Sequence, residues 1–157
     1  MNRLISPAPV RKSITVKTGI ERAFKVFTQD MGRWWLKSHS LNQDSPQKDV
    51  IIEPMPKGRW YEVGADGSEC QWGHVIEWHP PERVLLAWQI NADWQFDPAF
   101  MTEVEVRFTP EGADATRIDL EHRLLERFGE RAVEARAGLD SDGGWTGLLT
   151  AFAGFVR

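Results

Sequence analysis

Residues 57 to 88 read KGRWYEVGADGSECQWGHVIEWHPPERVLLAW and contain three runs in which apolar and polar side chains alternate. Asp66-Gly67, between the first two runs, is a strong hairpin signal, because a tight turn between strands needs positive φ angles that these residues accept. Pro80-Pro81 separates the second run from the third, since proline lacks the amide hydrogen that a strand interior uses. The stretch therefore predicts three consecutive antiparallel strands.

A two-residue loop at Asp66 and Gly67 would fix the register of the first hairpin. The facing pairs predicted on the inward face are Arg59 with His74, Tyr61 with Trp72, Val63 with Cys70 and Ala65 with Ser68, and those on the other face are Trp60 with Gly73 and Glu62 with Gln71. Trp60 is predicted to be a packing residue that lies over the backbone of Gly73. A one-residue bulge in the strand at 69–79 would invert these faces.

Alternation continues through the later strands and predicts an inward face rich in tryptophan. The division between apolar and charged positions is clearest in 102–108 and 116–124. The predicted inward positions are Trp72, His74, Ile76 and Trp78, then Val84, Leu86, Trp88 and Ile90, then Thr102, Val104, Val106 and Phe108, and finally Thr116, Ile118, Leu120, His122 and Leu124. Charged residues between them predict solvated ion pairs on the outward face.

Helical spacing of apolar residues brackets the strands. Segments 19–35 and 145–156 each show one apolar face, and a weaker helical pattern covers 128–138. The last helix has start signals in Asp140 to Asp142, whose side chains suit the capping of exposed amide groups. The sequence thus predicts an antiparallel sheet accompanied by helices.

The chain carries ERAFKVFT followed by WW, then GRWYEV, DG, QWGHVIEWHPPERVLLAW, TEVEVRF, ATRIDLEH and GGWTGLL, in that order. This order resembles the START-like (SRPBCC) superfamily, and within it the AHSA-type branch of small bacterial proteins, over residues 10 to 156. The resemblance implies an α+β helix-grip fold of the START/Bet v type. In such a fold a curved antiparallel β-sheet wraps around a long C-terminal helix, with an internal cavity between them.

Composition places limits on the protein class. A chain of 157 residues with 41% hydrophobic content can bury a sizeable core, so one domain over 1–157 is expected. A net charge of −4 with interspersed signs gives no basic surface for nucleic acid. The single cysteine, Cys70, excludes an internal disulfide and favours a cytoplasmic location, and no apolar run is long enough for a membrane span. A monomer or a homodimer is expected.

The implied cavity would be lined from the inward rows and from the last helix, combining apolar area with a few orienting polar groups. The predicted ligand-binding residues are Arg59, Tyr61, Trp72, His74, Trp78, Trp88, Val104, Val106, Leu120, His122, Trp145, Leu149 and Phe152. Packing alone accounts equally well for the tryptophans, and a histidine on an apolar face is more often a hydrogen-bonded core group than a catalyst. Trp34 and Trp35 are predicted to pack in the core.

No cofactor and no metal are predicted. The sequence lacks a phosphate loop, a Gly-x-Gly-x-x-Gly motif and a Cys-x-x-Cys motif. Its histidines are scattered without the spacing of metal ligands; they are His39, His74, His79 and His122.

Three functional classes remain open. The first is non-catalytic binding of a small hydrophobic molecule, lipid-like or aromatic, in the cavity. The second is an enzyme that resembles START-like cyclases and aromatases, with His122 as general acid or base. The third is contact with a chaperone ATPase, which the AHSA name implies, although this chain is expected to correspond to the isolated domain without the partner-binding N-terminal one.

Overall fold

Seven strands form one antiparallel sheet in the computed structural model, which describes residues 7–42 and 44–156. The strands are β1 (Val10–Val16), β2 (Gln47–Ile52), β3 (Arg59–Gly64), β4 (Glu69–His79), β5 (Arg83–Trp88), β6 (Thr102–Pro110) and β7 (Thr116–Arg123). Their order across the sheet is β1-β7-β6-β5-β4-β3-β2, so the first two strands of the chain stand at opposite edges. The segment between those two strands therefore crosses one face of the sheet.

Helices cover that concave face. They are α1 (Ile20–Gln29) and α2 (Met31–Trp34) between β1 and β2, and α3 (Ala132–Asp140) and α4 (Trp145–Val156) after β7. The helix predicted over 145–156 is confirmed as α4. The helix predicted over 19–35 is divided at Asp30, whose φ of −112° and ψ of 24° interrupt it. The helix predicted over 128–138 is confirmed in part, because a 3₁₀ segment (Leu125–Arg131) occupies its beginning.

The first hairpin has a three-residue loop, Ala65-Asp66-Gly67, rather than the predicted two-residue loop. The amide of Gly64 donates to the carbonyl of Ser68 at 2.8 Å, and the amide of Gly67 donates to the carbonyl of Gly64 at 2.9 Å. Gly67 has a φ of 86°, the left-handed conformation that closes such loops. The extra residue shifts the register by one, so the predicted pairs nearest the turn are wrong: Val63 faces Glu69, Glu62 faces Cys70 and Tyr61 faces Gln71.

A bulge at Trp72 restores the predicted register in the rest of the hairpin, where Trp60 faces Gly73 and Arg59 faces His74. Trp72 has no partner of its own in β3, and its side chain joins Trp60 on the concave face, with ring centroids 5.6 Å apart. The bulge therefore brings both indoles to the same side of the sheet. Sequence alternation had assigned them to opposite sides.

Arg59, Tyr61 and His74 lie on the convex face, so their predicted inward placement is wrong. The guanidinium of Arg59 stands 4.3 Å from the ring centroid of Tyr61. Nδ1 of His74 is 2.8 Å from Oε1 of Gln89, and His74 is paired with Ala87 of β5. The physical reason is that the three-residue loop and the following bulge change the parity that strict alternation assumes.

A second irregularity in β4 lies at Ile76, between the pairs Val75 with Leu86 and Glu77 with Leu85. Beyond it, Trp78 returns to the concave face and packs against Phe24 of α1, with ring centroids 5.1 Å apart. The predicted inward side chains of β5, β6 and β7 are buried as expected.

The core lies between the concave face and the helices and is dominated by aromatic rings. The ring centroids of Phe27 and Phe152 are 5.1 Å apart, and those of Trp34 and Phe152 are 5.2 Å apart. Most of these pairs are edge-to-face, the arrangement that ring quadrupoles favour. A single domain over 1–157 stays a prediction, and its terminal residues 1–6 and 157 lie outside the described part.

Candidate functional site

A pocket of about 620 Å³ opens at one end of the concave face. Its walls come from the 3₁₀ turn Lys37–His39 and the residues after it, from the loop at 90–95, and from the junction of α3 with α4. The lining residues are Trp35, Ser38, His39, Ser40, Leu41, Trp72, Trp88, Ile90, Asp93, Trp94, Gln95, Gly138, Leu139, Ser141, Gly143, Gly144, Trp145 and Leu148. The volume suits a drug-sized small molecule.

Four tryptophans form the floor of this pocket, which we call the indole floor: Trp35, Trp72, Trp88 and Trp145. The ring of Trp35 lies 5.0 Å from that of Trp72 and 5.9 Å from that of Trp145, and Trp88 lies 5.8 Å from Trp145. Each ring is almost fully buried and fixed by its neighbours. The floor therefore offers a rigid apolar surface that loses little side-chain entropy when it meets a ligand.

Trp94 stands at the mouth of the pocket, and 58% of its surface is exposed. Its φ of 59° is unusual for a residue with a large side chain. Asn91 holds this conformation: its carbonyl accepts from the amide of Trp94 at 3.0 Å, and its side-chain oxygen accepts from the amides of Asp93 and Gln95 at 3.0 Å and 3.1 Å. Asp93 also pairs with Arg131. The loop thus presents an indole to the opening.

His122 lies behind the indole floor and has no exposed surface. The indole N–H of Trp145 donates to Nδ1 at 3.1 Å, so the proton of the neutral ring is on Nε2, which donates to Oγ1 of Thr102 at 2.8 Å. Burial lowers the pKa of His122 from 6.5 to about 3. The ring is therefore a neutral core group that orients Trp145, and it does not line the pocket.

A buried carboxylate supports the opposite wall. Oε1 of Glu62 accepts from the indole N–H of Trp72 at 3.0 Å and from the amide of Leu41 at 2.6 Å. Oε2 accepts from the hydroxyl of Ser40 at 2.5 Å. Because Glu62 is almost completely buried, these bonds replace the hydration that its carboxylate loses. One side chain thus holds both an indole of the floor and the segment above it.

The rim of the pocket is polar. Ser38, His39, Asp93, Gln95 and Ser141 supply hydroxyl, imidazole, carboxylate and amide groups around the opening. The pocket therefore combines an apolar floor with a polar rim.

Only part of the predicted ligand set meets in this pocket. Trp72, Trp88 and Trp145 line it. His122 lies behind them, while Arg59, Tyr61 and His74 are on the convex face, Trp78 packs beside α1, and Val104, Val106, Leu120, Leu149 and Phe152 belong to the packed core. Whether any of them binds a ligand stays a prediction.

The other lining residues were not predicted, among them Trp35, His39 and Trp94. Trp35 follows α2 and was assigned to core packing, which accounts for its burial but not for its place in the floor. His39 and Trp94 lie in segments without periodicity, and periodicity was the signal on which the prediction relied. Among residues 7–42 and 44–156, no three His, Cys, Asp or Glu side chains converge as metal ligands would.

Comparison with known families gives a match over residues 17–157 to "Activator of Hsp90 ATPase homolog 1-like protein". The chain belongs to this AHSA1 family. The predicted resemblance to the AHSA-type branch is therefore confirmed. No functionally curated protein matches this AHSA1-family chain.

Solved structures agree with this assignment. An anthrahydroquino-γ-pyrone synthase, Txn09, is 37% identical with a TM-score of 0.67, and the match covers 97% of this chain and 98% of Txn09. CalC from Micromonospora echinospora, a self-sacrificing resistance protein, is 28% identical with a TM-score of 0.71, covering 95% and 94% of the two chains. NE0264 from Nitrosomonas europaea shares the fold at 12% identity, with a TM-score of 0.61 and 94% coverage of each chain.

The helix-grip prediction is confirmed by these neighbours, since the AHSA1-family chain has the curled antiparallel sheet and the C-terminal helix of that fold. Small-molecule binding fits this fold. In the described part of the chain, no helix has the length and apolar content that a bilayer span requires.

Proposed function

We propose that this protein binds a planar, fused-ring aromatic small molecule on the indole floor. The observation that carries the proposal is the floor itself, four nearly buried tryptophans that line one open pocket of about 620 Å³. A rigid apolar lining of this kind matches an aromatic ring system better than a flexible acyl chain, because a rigid ligand loses less entropy when it is ordered. The polar rim would then contact substituents at the ligand's edge.

The predicted ligand was either lipid-like or aromatic, and the similarity to Txn09 supports the aromatic alternative. That protein is described as an anthrahydroquino-γ-pyrone synthase, and the similarity extends over nearly the whole of both chains. The volume of this pocket falls in the range of typical small-molecule sites, and it accommodates a molecule of three or four fused rings.

A fluorescence titration tests the proposal. Binding of an anthraquinone on the floor should quench tryptophan emission in a saturable way, whereas a fatty acid of similar mass should give a weak effect or none. A raised melting temperature in the same samples identifies binding to the folded state. Saturable binding of fatty acids without binding of anthraquinones would contradict the proposal.

Two helical glycines provide a matched pair of variants. Gly138 lines the pocket, and a Cβ built there meets no atom within 4 Å; the same holds for Gly154 on the exposed side of α4, away from the pocket. Gly138→Phe should fill the pocket and weaken anthraquinone binding at least tenfold, a change of about 1.4 kcal/mol. Gly154→Phe should leave binding unchanged, and equal losses in both variants would contradict the proposed location.

A second candidate function is ring closure on such an aromatic molecule, favoured by the similarity to a synthase and by the imidazole of His39 at the rim. The predicted general acid or base, His122, is not suited to that role, since it is fully buried, neutral and separated from the pocket by Trp88 and Trp145. Incubation with an open-chain precursor of a fused-ring pyrone, followed by chromatography of the products, distinguishes catalysis from binding.

Contact with a chaperone ATPase stays a prediction. It is tested by adding the protein at equimolar ratio to a bacterial Hsp90 homologue and measuring the rate of ATP hydrolysis.

A further inference from the structure

His39 bridges two walls of the pocket. Its Nε2 lies 2.5 Å from the carbonyl oxygen of Gly143 at the junction of α3 with α4, and its Nδ1 lies 3.0 Å from Oγ of Ser38. All three residues line the pocket. The imidazole is thus held from both sides at the rim, above the indole floor.

These contacts determine which nitrogen carries the proton. A carbonyl oxygen can only accept a hydrogen bond, so Nε2 of His39 carries the hydrogen and donates it to Gly143. The lone pair of the neutral ring is then on Nδ1, where it accepts the hydroxyl hydrogen of Ser38. The backbone carbonyl thus orients the imidazole, and the imidazole accepts a hydrogen bond from the serine hydroxyl. Such an arrangement is able to remove a proton from a bound molecule.

The surroundings distinguish His39 from the other candidates. Among the lining residues in the described part of the chain, the only other ionisable side chain is Asp93, which pairs with Arg131. His122 has no surface in the pocket. The imidazole of His39 has a lone pair on Nδ1 that can accept a proton and an N–H group on Nε2 that donates one hydrogen bond.

We infer that His39, acting through Ser38, accepts the proton of a phenolic hydroxyl on the aromatic ligand, so that the site selects hydroxylated fused-ring aromatics. The inference rests on the proposed function. In this step the phenolic hydroxyl of the ligand gives its proton to Oγ of Ser38. At the same time the hydroxyl of Ser38 gives its own proton to Nδ1 of His39. A phenolate and an imidazolium result, and Nε2 of His39 keeps its hydrogen, which it continues to donate to the carbonyl oxygen of Gly143.

Alizarin, a dihydroxyanthraquinone, is a suitable probe because its visible absorption moves to longer wavelength when it ionises. Alizarin bound to the wild-type protein should ionise at a pH lower than free alizarin by about one unit or more, since the imidazolium stabilises the phenolate. His39→Gln keeps an amide N–H for Gly143 but cannot accept the proton, and Ser38→Ala removes the relay. Both variants should lose the shift, whereas His79→Gln, a change at the far end of β4, should retain it.

Binding and ionisation are read separately in the same samples. Tryptophan quenching and melting temperature report whether alizarin binds, and the visible spectrum reports its ionisation. No binding to the wild-type protein would overturn the proposed function together with this inference. Binding with a shift that persists in His39→Gln would overturn the inference alone, and a shift that persists in Ser38→Ala would overturn the relay through the serine.

Discussion

At the scale of single residues, the burial of His122 has a consequence for stability at mildly acidic pH. Its pKa is about 3 in the folded state, against 6.5 for a histidine exposed to water, so below pH 6.5 the unfolded chain takes up a proton that the folded chain does not. Stability therefore falls as the pH falls, with a slope that approaches about 1.4 kcal/mol per pH unit.

Denaturant unfolding at pH 6.5, 6.0, 5.5 and 5.0 measures this slope, in a window where most carboxylates remain ionised. His122→Gln should remove the contribution of this residue, and His79→Gln, a change at an exposed position, should leave it in place. A slope that survives in His122→Gln would show that another group takes up the proton.

Glu62 gives a second prediction at this scale. Glu62→Leu leaves the N–H groups of Trp72 and Leu41 without their acceptor, and it should lower the free energy of unfolding by about 3 kcal/mol. Glu62→Gln retains one side-chain oxygen for both donors, so its loss should be much smaller. Chemical denaturation of the two variants compares these losses, and equal losses would mean that the charge, not the hydrogen bonding, is what matters.

Sequence reasoning at this scale succeeded where a residue belongs to a regular row. Trp72, Trp88 and Trp145 were predicted from strand alternation and helical spacing, and the structure brings them to one pocket. Trp35 and His39 were not predicted as lining residues, because neither belongs to a periodic row of apolar residues. Their positions depend on contacts distant in sequence, that of Trp35 with Trp145 in α4 and that of His39 with Gly143 before α4.

At the scale of secondary-structure elements, β4 is constrained by Gly73. A Cβ at this position would lie 1.8 Å from the backbone oxygen of Ala87 in β5. Gly73→Ala should therefore force the two strands apart and cost about 3 kcal/mol or more. Gly154→Ala is the matched control, since its Cβ meets no atom within 4 Å and alanine favours the helix. Thermal unfolding should show a large loss for the first variant and none for the second.

The hairpin of β3 and β4 shows what a local signal can and cannot specify. Asp66-Gly67 correctly predicted the turn, but the same dipeptide serves both two-residue and three-residue loops. The bulge at Trp72 restored the register, and it is favoured by the packing of that indole against Trp60 and Trp35, a contact distant in sequence. The predicted side-chain faces near the turn were therefore wrong, although the two strands were correctly predicted.

At the scale of the whole molecule, ligand binding should appear as added stability. A ligand present at about 100 times its dissociation constant adds about 2.7 kcal/mol if it binds only the folded state. For a domain of this size that corresponds to about 5 to 10 °C in melting temperature. Differential scanning fluorimetry with alizarin measures the change, and Gly138→Phe, which weakens binding at least tenfold, should reduce it to about half or less.

The fold could be predicted at this scale because the order of strands, turns and helices along the chain is a global property of the sequence. The position of the opening could not, since eight tryptophans are enough to fill a cavity completely. Which of them pack together and which leave space depends on the division of the first helical segment at Asp30 and on the loop conformation around Trp94.

The closeness of the tryptophan rings has an optical consequence. Indoles whose centroids are 5.0 to 6.4 Å apart are close enough for their electronic transitions to couple, so the cluster of Trp34, Trp35, Trp60, Trp72, Trp88 and Trp145 should absorb as a coupled set. Its far-ultraviolet circular dichroism should contain an exciton couplet superimposed on the strand and helix signals. One molecule seated on the indole floor would therefore alter the spectrum of the whole cluster, including rings that it never touches.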